Sequence, residues 1–107
     1  MARDVMSEIQ SEVDSNKVLI YMKGTKEQPQ CGFSAMASQT LMSLGVPVKD
    51  VNILEDPEKW KALKAFSNWP TMPQIYIGGQ FVGGCDIVRE MHAKGELAPL
   101  VKKAIGS

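Results

Sequence analysis

An α/β sandwich around a four-stranded mixed sheet is the fold class this sequence predicts. Two consecutive strand-then-helix patterns, in residues 17–44 and 46–66, favour parallel strands joined by crossover helices. A Gly78-Gly79 dipeptide between two short β-rich runs adds an antiparallel hairpin beyond them. At 107 residues there is material for one hydrophobic core and not for two, so residues 1–107 are expected to form a single domain.

Each element follows from local pattern. Val5, Met6, Ile9 and Val13 recur at spacings of three and four, a helical stripe that ends near Ser15 and Asn16. KVLIYMK is a short apolar run of β-formers, halted by GTKEQPQ, whose glycine, proline and polar residues mark an irregular loop. Residues 32–44 return Phe33, Met36, Ala37, Thr40, Leu41 and Leu44 on helical spacing, with Gly45 as a stop. VPVKDVNIL alternates as a second strand, and EDPEKWKALKAF places Asp56 at an N-cap and Pro57 in the first helical position. After SNWPTMP come the hairpin strands QIYIG and QFVG. GGCD then opens a helix from about Asp86 to Lys94, with Val88, Met91 and Ile87 facing inward, and LAPLVKKAI forms a last helix. The order helix, βαβ, helix, ββ, helix, helix is thioredoxin-like, a three-layer sandwich whose four-stranded mixed sheet is flanked by helices. Such a fold alone leaves the function open.

Composition narrows the classes. Twelve basic residues balance twelve acidic ones, so no net field draws the chain to nucleic acid or anionic lipid, and a small specific ligand is expected. Two cysteines are too few for a stapled secreted scaffold and match no zinc-finger spacing, which points to a reducing compartment. No apolar run approaches the roughly 20 residues that span a bilayer. The start MARDVMSEIQ has neither a signal peptide's apolar segment nor a transit peptide's arginine-rich character, although a presequence removed earlier would leave no trace.

The chemistry concentrates at three junctions. Cys31 lies between a loop and a helix, where the amides of Phe33 and Ser34 and the helix dipole favour a thiolate, and Lys23 and Lys26 are candidates to add positive charge. Ser34 stands where a redox pair would place its second cysteine and cannot resolve a mixed disulfide. Pro73 directly precedes a strand; a cis Met72-Pro73 bond would turn the Met72 backbone outward as an edge for an extended peptide. In VGGCDIV, Gly83 and Gly84 allow close approach, the following helix N-terminus suits a carboxylate, and Asp86 accepts from an ammonium. The plain alternatives are a buried small residue for Cys31, a loop proline for Pro73 and a simple cap for Asp86. Cys85 is read as a buried side chain, His92 as solvent-facing, the methionines as packing, and Trp60 and Trp69 as core or wall residues.

With CGFS at 31–34, WPTMPQ at 69–74 and GGCD at 83–86, preceded by YMKG, the chain resembles a CGFS-type monothiol glutaredoxin over almost its whole length. The resemblance implies that Cys31 is the reactive thiol and the metal ligand of a 2Fe-2S cluster. It implies a glutathione site made by Lys23, Thr71, Met72, Pro73, Gly84, Cys85 and Asp86. Within it, Lys23 meets the glycyl carboxylate, the Met72 backbone pairs with the cysteinyl unit, and Cys85 N–H with Asp86 receives the γ-glutamyl end. Family members often carry arginine at the position of Trp60; the departure implies compensation by Lys59 or Lys61, or a glutathione-derived thiol without a free glycyl carboxylate. The implied activity is a glutathione-bridged homodimer, monomeric when apo, that transfers its cluster to iron-sulfur acceptor proteins. A glutathione-dependent reductase of glutathionylated proteins is the alternative, and a regulatory binding module is a third. The mitochondrial matrix is the expected compartment, with the cytoplasm as the alternative.

Overall fold

The computed structural model describes residues 3–106 of the chain. Strand β1 (Val18–Met22) is central: it runs parallel to β2 (Lys49–Asn52) and antiparallel to β3 (Gln74–Ile77), which pairs antiparallel with β4 (Gln80–Gly83). The sheet order is β2-β1-β3-β4. Helices α1 (Val5–Ser15) and α3 (Pro57–Ser67) cover one face, and α2 (Gly32–Met42), α4 (Cys85–Ala93) and α5 (Leu97–Gly106) cover the other. This is the thioredoxin-like sandwich that the element order predicts. Among the described residues no helix is long and apolar enough to cross a membrane.

The core follows from strand periodicity. Successive side chains of β1 point to opposite faces, so Val18, Ile20 and Met22 join Ile75, Ile77, Leu41 and Val88 on one side. Leu19 and Tyr21 join Ile9, Leu63 and Tyr76 on the other. Every residue of β1 is buried, which explains its unbroken apolar run. The Tyr21 and Tyr76 rings meet edge to face at 5.8 Å, and the Tyr21 hydroxyl donates to Glu12 at 2.8 Å.

Capping chemistry sets the helix that carries one wall of the site. The Lys59 amide donates to Asp56 Oδ1 at 3.1 Å, and Pro57 occupies the first turn of α3, as the sequence predicts. Arg3 bonds both oxygens of Asp56, at 2.9 and 2.6 Å, and Lys59 Nζ lies 2.8 Å from Glu12, so α1 and α3 are tied by charge as well as by packing. The hairpin also forms as expected, with Gly78 and Gly79 at φ of 59° and 81°.

Three expectations change. The second strand is shorter than VPVKDVNIL, because Asn52 Oδ1 accepts from the Leu54 amide and starts a 3-10 turn over Ile53–Glu55. Ile87 is exposed, whereas Val88 and Cys85 fill the inner face of α4. The methionines are not uniformly packing residues: Met22 and Met72 are buried, but Met6 and Met42 are exposed, and Met1 lies outside the described residues.

Candidate functional site

The segment between β1 and α2 holds the thiol in place. Gly24 has φ of 89°, and a Cβ there would lie 2.5 Å from the Gln28 carbonyl, so only glycine fits. The Gly24 amide donates to Asn52 Oδ1 at 2.9 Å, the Gln30 amide to the Lys23 carbonyl at 2.9 Å, and the Lys26 amide to Asp50 at 2.9 Å. Polar residues that mark a loop in sequence thus form a closed turn anchored on β2. It delivers Cys31 in extended conformation to the N-cap of α2, half-buried.

At that position the Cys31 thiol is held below its ordinary value. The Ser34 backbone amide is the largest cause; the Phe33 amide, the Lys23 ammonium and the Ser34 hydroxyl assist, and partial burial opposes them. No conventional side-chain cap closes on α2, which leaves these amides aimed at the sulfur. Ser34 is fully buried and its Oγ accepts from the Lys23 amide at 3.1 Å, which leaves its own proton for the sulfur. Lys26 does not contribute as expected, because its ammonium is spent on the Val48 carbonyl at 2.7 Å.

Beside Cys31 opens a cavity of about 570 Å³ whose lining includes every residue that the resemblance assigns to the glutathione site, Lys23, Thr71, Met72, Pro73, Gly84, Cys85 and Asp86, but not Gly83, which packs under Ile87. Its volume suits a small ligand. The Met72-Pro73 bond is cis, and the Met72 backbone makes no hydrogen bond among the described residues, so it offers a free donor and acceptor. Gln74, fully buried, donates to the Trp69 carbonyl at 3.0 Å and steadies the preceding loop. A Cβ on Gly84 would lie 3.3 Å from Trp69 Nε1 and 3.4 Å from the Pro73 carbonyl, so glycine keeps this floor flat. That indole N–H is buried and has no partner among the described residues. Asp86 is exposed at the mouth, and α4 has Gly84 as its N-cap with no side-chain cap, which leaves its first amides open.

Cys85 lines the same cavity but belongs to the core; burial pushes its thiol up. Lys59 is drawn to Glu12 and Lys61 is not part of the lining, so neither compensates at this wall. The cation present there is Lys64, which the sequence reading passed over although it lies one helical turn beyond Trp60. Phe33 and Ile87, both exposed, complete an apolar rim, and His92 faces solvent.

A thiol of lowered pKa at a helix end, an unpaired backbone edge and a cavity carrying charges of both signs on a thioredoxin-like fold define the class of thiol proteins to which this chain is compared. The chain belongs to the glutaredoxin family, whose model, Glutaredoxin, matches residues 18–82, and its similar relatives are monothiol members. It is 50% identical over 99 residues to an Arabidopsis thaliana protein named monothiol glutaredoxin-S15, mitochondrial, covering 92% of this chain and 59% of that one. A Rickettsia conorii protein named probable monothiol glutaredoxin 2 is 50% identical over 94 residues, 88% of each chain. Among solved structures, a buckwheat glutaredoxin–glutathione complex superimposes with a TM-score of 0.84 at 25% identity, covering 94% of this chain and 89% of that one.

Proposed function

We propose that this monothiol glutaredoxin binds glutathione in the cavity beside Cys31 and, as a homodimer, carries a 2Fe-2S cluster to acceptor proteins. The observation that carries the reading is the polarity of the cavity: a thiol held below its ordinary pKa lies beside a groove with lysines at one wall and Asp86 with open helix amides at its mouth. A γ-glutamyl tripeptide has a carboxylate at one end, an amino-acid zwitterion at the other and a thiol between. Lys23 meets the first, Asp86 and the Gly84-Cys85 turn meet the second, and the Met72 edge, flanked by Thr71 and Pro73, pairs with the middle. The glutathione complex of the buckwheat protein, which shares the fold, supports glutathione as the ligand.

Ligand count then favours a dimer. A 2Fe-2S cargo usually takes four thiolates, whereas one chain with one bound peptide offers two, Cys31 and the peptide's own sulfur. Two chains and two peptides complete the set, a symmetric assembly whose subunits part when the cluster leaves. Cys85, buried in the core, is left out of the set.

The rival reading rests on the same half-exposed thiol. Cys31 sulfur attacks the glutathionyl sulfur of a glutathionylated protein, releasing the protein thiolate; a second glutathione thiolate then attacks that sulfur, forming glutathione disulfide and restoring Cys31. Anaerobic reconstitution with iron, sulfide and glutathione, followed by visible spectroscopy and sizing, separates the two. A coloured dimer is expected, colourless and monomeric after Cys31→Ser or when glutathione is withheld, and largely intact after Cys85→Ser. Rapid turnover of a glutathione mixed disulfide, with no coloured species formed, would favour the reductase. The expected mitochondrial compartment is supported by the S15 relative, and the cytoplasmic alternative by the bacterial one; fractionation of the native protein decides between them.

A further inference from the structure

Asn52 takes no part in the cavity lining, yet one of its atoms reaches the loop that carries the thiol. Its Oδ1 accepts from the Gly24 amide at 2.9 Å and from the Leu54 amide at 3.1 Å. Both partners are N–H donors, so the atom that meets them is the oxygen and the side chain has one orientation. The Leu54 bond opens the turn that leads through Ile53–Glu55 into α3, which anchors the oxygen on the frame of the sandwich.

The Gly24 N–H shares its peptide group with the Lys23 carbonyl, and that carbonyl accepts from the Gln30 amide at 2.9 Å, one residue before Cys31. A peptide group is planar and turns only as a unit. Asn52 on one edge and Gln30 on the other therefore fix the tilt of the same plane. The adjoining Lys23 amide donates to Ser34 Oγ at 3.1 Å, which ties the plane to the residue whose amide and hydroxyl face the sulfur. Gly24 is buried, so its N–H is costly to leave without an acceptor.

We infer that Asn52 is a positioning residue for Cys31: it sets the Lys23-Gly24 peptide plane and, through Gln30 and Ser34, the place of the sulfur before the first amides of α2. Its role is the same whichever ligand the cavity takes. Without the oxygen the plane tilts until the Gly24 N–H finds another acceptor, and Gln30 follows. Asp50 also holds the loop, but at the Lys26 amide, which lies beyond this peptide group.

The test is the pH profile of iodoacetamide alkylation at Cys31 in the full-length protein, with folding checked by circular dichroism. The profiles are measured in about 0.5 M salt, which screens the charges that the substitutions add or remove. Asn52→Ala should raise the midpoint of the profile by roughly half a pH unit or more, because donors aligned on the sulfur are what lower it. Asn52→Asp, which keeps an acceptor in place, should return the midpoint to the wild-type value. Asp50→Ala, which frees the loop elsewhere, should leave the midpoint unmoved while lowering stability to urea. Should Asn52→Ala fail to fold, Asn52→Ser carries the same expectation, its shorter reach being unable to span both amides. A wild-type midpoint in the Ala or Ser variant, no recovery in Asn52→Asp, or an equal rise in Asp50→Ala overturns the inference.

Discussion

The Cys31 thiol is held below its ordinary value because of where its sulfur stands, in front of amides that a capping oxygen would otherwise satisfy. Its alkylation by iodoacetamide should reach half its maximal rate at a pH below the roughly 8.5 of a free thiol. Lys23→Gln should move that midpoint upward, and Ser34→Ala should move it less, since the backbone amide at 34, the largest influence, survives the change. The sign for folding follows from the lowered value: the thiolate's contribution is complete above the unfolded-state pKa and is lost as pH falls through the folded-state one. Cys85, raised by burial, should stay unmodified at neutral pH under the same conditions. Most of these residues were legible because each sits at a junction where its type has a backbone reason to be. Lys26 was misread because only the fold shows that its ammonium reaches Val48. Lys64 was missed although its spacing from Trp60 already put both on one helix face.

Among the elements, α3 does the most for the site, since it carries both Trp60 and Lys64 into the cavity wall. Its start depends on Asp56, which caps the helix and pairs with Arg3. Asp56→Ala should cost about 1 kcal/mol in urea unfolding at neutral pH, the usual loss for a cap. Asp56→Asn, which can still cap but lacks the charge, should fall between. The Arg3 guanidinium, and after it the Lys59 amide, hold the Asp56 carboxyl down to about 2 against the opposing effect of burial. A depressed carboxylate stabilises above its unfolded value of about 3.9, so the gap between wild type and Asp56→Ala should be constant above that pH and shrink between about 4 and 2. Asp56-Pro57 was readable from sequence because its cap geometry is local. The 3-10 turn at Ile53–Glu55 was not, because Asn52 divides its side chain between Leu54 and the distant Gly24.

For the molecule as a whole, β1 is the shared boundary of both hydrophobic layers. Ile20, fully buried at its centre, should cost about 2–5 kcal/mol on replacement by alanine. That is a large part of the roughly 5–15 kcal/mol that a domain of this size has. The denaturant slope should stay unchanged, and Leu54→Ala, at an exposed position, should shift the urea midpoint little. The architecture was legible because period-two strands, helical stripes and the glycine hairpin all agree with one topology. The cavity was less so, because its walls come from α2, α3, α4 and the loop before β3, and their convergence is a property of the packed sandwich.

The crowded bend at Gly24 makes the distance from sheet to sulfur a fixed length. Asn52 and Asp50 of β2, and Val48 just before it, grip the intervening stretch, so slack introduced there has nowhere to coil. Adding or removing one residue would be felt as a sideways step of the sulfur itself.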